Sequence, residues 1–185
     1  MSLVLHGTDG ITFPDTTGPF DGDDLNKGHW SYVSKITLGG ATEAIFQSLT
    51  AGDYHFICRN IDMSSDNSAI RLTMAESGTT WKVGSSDYVE DAFSNATTYI
   101  ILASGIGNAA GENVDGYFTV YDVADTTTRT GISGLLNRAY TDGGSYNQMP
   151  HAAYVGSTAA IVSIRIYASA GTFTGDIEMY KRSEQ

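Results

Sequence analysis

The sequence predicts an all-β protein: an antiparallel, jelly-roll-like sandwich of about ten strands that follows an extended N-terminal arm. Three observations support this prediction. Apolar and polar residues alternate along many short segments. Clusters of Gly, Asn and Ser separate these segments at roughly ten-residue intervals, as turns between strands do. The composition, with 21 Gly and 11 Tyr in 185 residues and 17% charged residues, is typical of strands and turns rather than helices.

The first 28 residues differ from the rest and are predicted to form a docking arm. They contain two of the three prolines, Pro14 and Pro19, and no basic residue before Lys27. Short apolar pieces lie between turn signals, so they need another surface to pack against. We expect the arm to dock on its own domain or on a neighbouring subunit. Its apolar residues are Leu3, Leu5, Ile11, Phe13 and Phe20.

Residues 29–185 form the predicted sandwich domain. Apolar residues alternate with polar ones in residues 70–75, 162–167 and 176–180. This period of two is typical of antiparallel strands with one buried face. Residues 90–96 and 134–140 are the only stretches that could form short helices, and neither is long enough to support a helical fold.

Charge and cysteine content narrow the possible functions. The net charge of −11 repels phosphate backbones, so we expect no nucleic-acid binding. The single cysteine, Cys58, allows neither an intrachain disulfide nor a cysteine-based zinc site. No apolar stretch approaches the roughly 20 residues of a membrane helix, and no secretory signal is present. We therefore expect a soluble protein, made in a cytoplasm, without membrane insertion.

Catalytic motifs are incomplete throughout the sequence. Residues 105–110 match the loose pattern G-x-G-x-x-A, but the helix that a dinucleotide site needs does not follow them. Residues 131–134 lack the serine nucleophile elbow, and no spacing selects two carboxylates for glycoside hydrolysis. We therefore expect no enzymatic activity, no catalytic residues and no cofactor.

Calcium is the metal ion that the sequence accommodates best. Asp21, Asp23 and Asp24 lie in a segment dense in oxygen ligands. The segment is not an EF-hand, because Leu25 stands at the fifth position and no Glu closes the loop. We expect a polar turn without a bound metal, and these three aspartates remain weak candidates for calcium ligands.

Five aromatic residues are predicted at strand ends or in loops. Flat aromatic rings can stack on sugar rings, but Tyr and Trp are also enriched in protein cores and subunit interfaces. Packing in the core or in an interface is the expected role, and glycan binding is the alternative. The residues are Trp30, Trp81, Tyr140, Tyr146 and Tyr154.

The start of the chain resembles that of tailed-bacteriophage fibre and virion proteins, including those of marine phages. Residues 7–15 carry this resemblance and have the sequence Gly-Thr-Asp-Gly-Ile-Thr-Phe-Pro-Asp. Further motifs of the same phage module follow in order, among them residues 54–56, 116–121 and 169–180. The resemblance therefore covers most of the chain.

This resemblance implies a structural component of a tailed-phage virion: a tail-fibre, tail-appendage or head-decoration subunit. It implies a homo-oligomer, by default a trimer, with other virion proteins as partners and assembly in the host cytoplasm. No catalytic residues transfer, because the family pattern is structural. The alternative function is a receptor-binding module that recognises a host surface glycan through exposed loops such as 142–149. A polysaccharide depolymerase is the second alternative.

Overall fold

The computed structural model describes residues 29–90, 97–140 and 144–182, and the backbone of residues 4–6, 10–12, 19–20 and 95–96. These residues form sixteen strands and no helix. None of them forms a helix that could cross a membrane. The strands are β1 (Val4–His6), β2 (Gly10–Thr12), β3 (Pro19–Phe20), β4 (Trp30–Ala41), β5 (Glu43–Gln47), β6 (Gly52–Met63), β7 (Ser68–Ala75), β8 (Tyr88–Glu90), β9 (Asn95–Thr97), β10 (Ile100–Ile106), β11 (Asn113–Val123), β12 (Gly131–Ala139), β13 (Ser145–Gln148), β14 (His151–Tyr154), β15 (Ser163–Ala168) and β16 (Phe173–Arg182).

Eight of these strands form two sheets in jelly-roll order. The smaller sheet has the order β10-β7-β15-β5, and the corresponding half of the larger sheet has the order β4-β16-β6-β11. Along the chain these eight strands alternate between the two sheets, except that β7 and β10 both lie in the smaller sheet and pair with each other, and every pairing is antiparallel. This is the arrangement of two nested Greek keys. The prediction of an all-β antiparallel sandwich is confirmed.

Five further strands extend the larger sheet beyond β11 in the order β12-β14-β8-β9, with β13 paired to the other half of β12. Pro150 lies between β13 and β14, where it has no backbone N–H to donate to a ladder. With these five strands, the number of strands is well above the ten or so that the sequence predicts. The described parts of the two possible helices are strands instead: residues 134–139 lie in β12, and residues 90 and 95–96 lie in β8 and β9.

The core lies between the two sheets and is built by alternation along each strand. In β6, Tyr54, Phe56 and Cys58 are buried and point inward. Phe56 stacks on Phe118 of β11, with ring centroids 4.8 Å apart and planes 8° apart. Gly134 lies opposite Phe118 in β12, where an added Cβ would come within 2.6 Å of the Phe118 Cβ. A glycine at this position leaves room for the stacked rings.

The N-terminal segment forms a small sheet of the three strands β1, β2 and β3. These strands lie at or near the short apolar pieces identified in the sequence of that segment. Leu3 and Phe13 lie outside the described residues, as do Asp21, Asp23 and Asp24 and part of the loop 142–149. For Leu5, Ile11 and Phe20 the structure describes the backbone alone.

Candidate functional site

The outward face of the larger sheet carries a continuous group of aromatic side chains. They come from four strands, β4, β16, β6 and β11. In β16, β6 and β11 they alternate with core residues, and in β4 they lie beyond an irregularity in its pairing with β16. We call this group the outer aromatic face. Its members are Trp30, Tyr32, His55, Tyr117, Tyr121 and Tyr180.

The centre of this face is a row of three rings. The indole of Trp30 lies 5.1 Å from the imidazole of His55, and the phenol ring of Tyr117 lies 5.3 Å from the other side of the same imidazole. In both contacts the angle between the two ring planes is less than 40°. Trp30 is 40% exposed and Tyr117 45% exposed, so the two outer rings of the row present apolar surface to solvent.

A hydrogen bond holds His55, the middle ring of the row, in place. His55 Nδ1 lies 2.9 Å from Thr119 Oγ1, its cross-strand neighbour on β11. Burial between the two rings lowers the pKa of His55, because desolvation disfavours the imidazolium form. The imidazole is therefore held as a neutral ring that packs like an aromatic residue.

Further aromatic contacts widen the face on both sides of this row. Tyr32 meets Tyr180 edge-on, with centroids 5.7 Å apart, and the Tyr180 hydroxyl donates to Glu178 Oε2 at 3.0 Å. Tyr121 OH lies 3.1 Å from Ser133 Oγ on β12. The hydroxyls of Tyr180 and Tyr121 therefore each have a hydrogen-bond partner.

A shallow hollow of about 240 Å³ adjoins Tyr117. Its floor includes Gly116, whose φ of +142° and close approach to the backbone of Leu135 and Leu136 leave no room for a side chain. Arg59 and Asp115 stand at its rim. His55 and Tyr117 of the outer aromatic face both line the hollow.

Charged groups around the outer aromatic face are paired with one another. Lys35 Nζ lies 2.7 Å from Asp176, Arg59 Nε lies 3.5 Å from Glu178, and Arg182 lies 3.6 Å from Asp53. The face therefore combines exposed rings with a border of near-neutral charge. Such a surface is suited to contact with another protein or with an uncharged ligand.

The smaller sheet carries a different row on its outward side, in which arginines alternate with rings. The Arg165 guanidinium lies 5.0 Å from the Trp81 ring centre and 4.4 Å from that of Tyr167, and Arg71 lies 4.0 Å from that of Tyr99. Arg71 and Tyr167 are cross-strand neighbours on β7 and β15. We call these five residues the cation–aromatic row.

A third aromatic pair lies at the end of the β12–β13 hairpin. Tyr140 and Tyr146 meet edge-on at 5.4 Å, and the Arg138 guanidinium lies 4.2 Å from the Tyr140 ring centre. Arg138 also donates to the carbonyl of Ser104, and Gln148 Nε2 donates to the same carbonyl at 3.0 Å. These bonds attach the hairpin to the end of β10.

Tyr154 belongs to none of these surfaces. It is 1% exposed, and its hydroxyl donates to Glu76 Oε1 at 2.6 Å. Ser157 donates to the same oxygen, while Lys82 pairs with the other at 2.5 Å. Burial opposes ionisation of Glu76, but these donors outweigh it and lower the pKa of Glu76 to about 2. This cluster joins the segment after β7 to the segment after β14.

The five aromatic residues singled out in the sequence are thus dispersed over four places. Trp30 lies in the outer aromatic face, Trp81 in the cation–aromatic row, and Tyr140 with Tyr146 on the hairpin. Tyr154 has the core-packing role expected for these residues, because its ring lies inside against Tyr88 at 5.5 Å.

Sequence reasoning missed most members of the two rows. The period of two in β6 and β11 could have placed His55, Tyr117 and Tyr121 on one outward face, since each alternates with buried residues. It could not have shown that Arg71 and Arg165 share a face, because they lie on strands far apart in sequence.

No group of three or more His, Cys, Asp or Glu side chains is arranged to hold a metal ion within the part of the chain that the structure describes. Cys58 is buried next to the hollow, and burial raises the pKa of its thiol to about 12. Comparison of the sequence with protein-family models and with curated proteins finds no match to either.

Proposed function

We propose that this protein is a structural subunit of a tailed-phage virion, which assembles into a homo-oligomer, by default a trimer, and attaches to other virion proteins. It acts by assembly and not by catalysis. The resemblance of residues 7–15 to phage fibre and virion proteins suggests the setting. The jelly roll is a fold that many viral shell proteins use.

The single observation that carries the assembly role is the outer aromatic face. Three of its members, Trp30, Tyr32 and Tyr117, are at least 40% exposed. Trp30 and Tyr117 contact His55, and Tyr32 contacts Tyr180, the cross-strand neighbour of His55. A contiguous apolar patch on a soluble domain is typical of an interaction surface, and Tyr and Trp are enriched at the centres of such surfaces. We therefore place the contact between subunits on this face.

The free edge of the same sheet supports a role for the N-terminal arm. β4 is twelve residues long and pairs only with β16 among the described residues. An unpaired edge of this length can accept a further strand from a neighbouring chain. The arm enters the domain at the start of β4, next to Trp30, and so is well placed to reach the neighbour that covers the face.

The assembly role is tested in the full chain with serine substitutions. Trp30→Ser with Tyr117→Ser removes the ends of the central row, whereas Val83→Ser with Met149→Ser removes still more exposed apolar groups elsewhere. We expect the first pair to yield monomers in light scattering and the second pair to leave the oligomer intact. Equal masses for both pairs would place the interface elsewhere.

The arm is tested separately by incorporation into virions. Phe13→Ser with Phe20→Ser alters the arm and leaves residues 29–185 unchanged. We expect the variant protein to fold but to be missing from purified particles. Normal incorporation would contradict the docking role of the arm.

The second candidate function is a receptor-binding module for a host surface glycan. It is favoured by the exposed Tyr146 ring, which projects from the hairpin beside Tyr140. A glycan array with the wild-type protein and with Tyr146→Ala tests it. If this function holds, the wild-type protein should bind a glycan and Tyr146→Ala should not. Failure of the wild-type protein to bind any surface polysaccharide would rule this function out.

A further inference from the structure

The cation–aromatic row lies on the side of the sandwich opposite to the outer aromatic face. Its guanidinium groups lie against rings, as the distances of 4.0–5.0 Å to Tyr99, Tyr167 and Trp81 show. Stacking holds the flat surface of a guanidinium against a ring and leaves the N–H groups at its edge to meet a ligand.

We propose that the cation–aromatic row is a binding site for a carboxylate-bearing saccharide, in which Arg71 and Arg165 pair with carboxylates and the neighbouring rings pack against sugar rings. The site lies on the smaller sheet, so the inference does not depend on how subunits assemble through the larger one. It also differs from the hairpin site considered for a host glycan.

Charge distribution supports an anionic ligand. The protein has a net charge of −11, yet this row brings two arginines together, and the ion pairs of the described residues include one with this row, between Arg165 and Glu43. The pair between Arg165 and Glu43 is loose, at 3.6 Å with a Glu43 side chain that is 40% exposed. On the larger sheet, by contrast, each cation of the face border has its own carboxylate.

Arg71 is the stronger anchor. None of the five ion pairs within the described residues includes it; its Nε is enclosed by the protein, and its side chain is within hydrogen-bonding reach of Tyr167. Burial raises the pKa of Tyr167, and the nearby positive charges of Arg165 and Arg71 partly oppose that rise. A planar guanidinium whose charge has no protein carboxylate as partner is suited to a two-point contact with a ligand carboxylate.

The aromatic members favour a saccharide over an acidic peptide. Trp81 and Tyr99 stand at the two ends of the row, with the arginines between them. A pyranose ring presents a face of C–H groups that packs on an aromatic ring, while its carboxylate stays at the edge of the sugar. Alternating rings and cations therefore match alternating sugar faces and carboxylates better than they match a flexible polyglutamate chain.

The test uses Trp81 as a reporter in the full chain. The protein has only two tryptophans, so Trp30→Phe leaves Trp81 as the single source of tryptophan fluorescence. Trigalacturonate is titrated against this protein, and its methyl ester serves as the matched neutral ligand. We expect a saturable fluorescence change with the acid, and binding of the ester about 10- to 100-fold weaker, because charged hydrogen bonds are lost.

Two substitutions locate the site. Arg71→Lys and Arg165→Lys keep the charge but lose the planar fork, and each should weaken trigalacturonate binding about 10-fold or more. Arg59→Lys, on the other sheet, should leave it unchanged. If one of these variants does not fold, the difference in binding between trigalacturonate and its methyl ester, measured on the Trp30→Phe protein, still tests the proposal. Equal binding of acid and ester, equal binding of triglutamate, preference for a sulfated trisaccharide, or no saturable change would each overturn the proposal.

Discussion

The indole of Trp30 lies 5.1 Å from the imidazole of His55, although β16 separates the strands that carry them. The contact links the first residue of β4 to the middle of the larger sheet. It also places the point where the N-terminal arm enters the domain beside the exposed aromatic surface. Docking of the arm and contact between sheet faces are therefore expected to occur at one place on the subunit.

The environment of His55 predicts a pH dependence of stability. Burial lowers its pKa in the folded state, so the unfolded chain binds the proton more tightly between that value and 6.5. The free energy of unfolding should therefore fall as the pH decreases through 6.5. Urea unfolding of the wild type and of His55→Gln at pH 7.5 and pH 5.5 measures this effect. A pH dependence that is equal in the two proteins would contradict the role of His55.

The Glu76 cluster predicts a loss of stability on neutralisation. Glu76→Gln removes the charge that Lys82, Tyr154 and Ser157 stabilise, and should cost about 1–3 kcal/mol. Because the pKa of Glu76 is lowered from 4.5 to about 2, its contribution should be complete above 4.5 and lost as the pH falls towards 2. Urea unfolding at pH 7 provides the measurement.

A matched control for that substitution is Glu43→Gln. Glu43 forms a more exposed ion pair with Arg165 at 3.6 Å, so its loss should cost less than about 0.5 kcal/mol. If both substitutions have the same small effect, the Glu76 cluster does not stabilise the fold as described.

The close approach of β11 to β12 predicts that one glycine cannot be replaced. Gly116→Ala combines a positive φ of 142° with an overlap between the new Cβ and the Leu135 carbonyl, which should cost about 2–5 kcal/mol. Gly131→Ala is the control, because an added Cβ there has no atom within 4 Å. Thermal unfolding of the two variants should separate them clearly, and similar melting temperatures would show that the strands can move apart.

Cys58 predicts an unreactive thiol. It is 2% exposed, and burial raises its pKa to about 12, so the thiolate is scarce at neutral pH. Alkylation by iodoacetamide at pH 8 should be slow in the native protein and fast in urea. Rapid modification without urea would mean that the strands β6 and β16 around Cys58 open readily.

Alternation within single strands could be predicted from the sequence, and contacts between strands could not. Tyr54, Phe56 and Cys58 are buried as their spacing indicates. Residues 134–140 were ambiguous because Gly134, Leu135 and Leu136 do not alternate. Gly134 occupies its place in β12 because Phe118 on the next strand needs the space, and this requirement is invisible within the segment itself.

The candidate sites depend more than the individual strands do on pairing between segments that are far apart in the sequence. The partner of the buried Tyr154 hydroxyl, Glu76, lies 78 residues away in sequence, so no local pattern could indicate it. Arg71 and Arg165 have no common motif and come together only because β7 pairs with β15. Local periodicity specifies which side of a strand a residue occupies, whereas the order of strands decides which residues form a site.

The mass of the full-length protein in solution tests the assembly role most directly. Light scattering after size exclusion, over a range of protein concentrations, should give three times the 19.7 kDa of a single chain. The Trp30→Ser, Tyr117→Ser variant should give 19.7 kDa under the same conditions. A wild-type protein that stays at 19.7 kDa at every concentration would contradict assembly through the outer aromatic face.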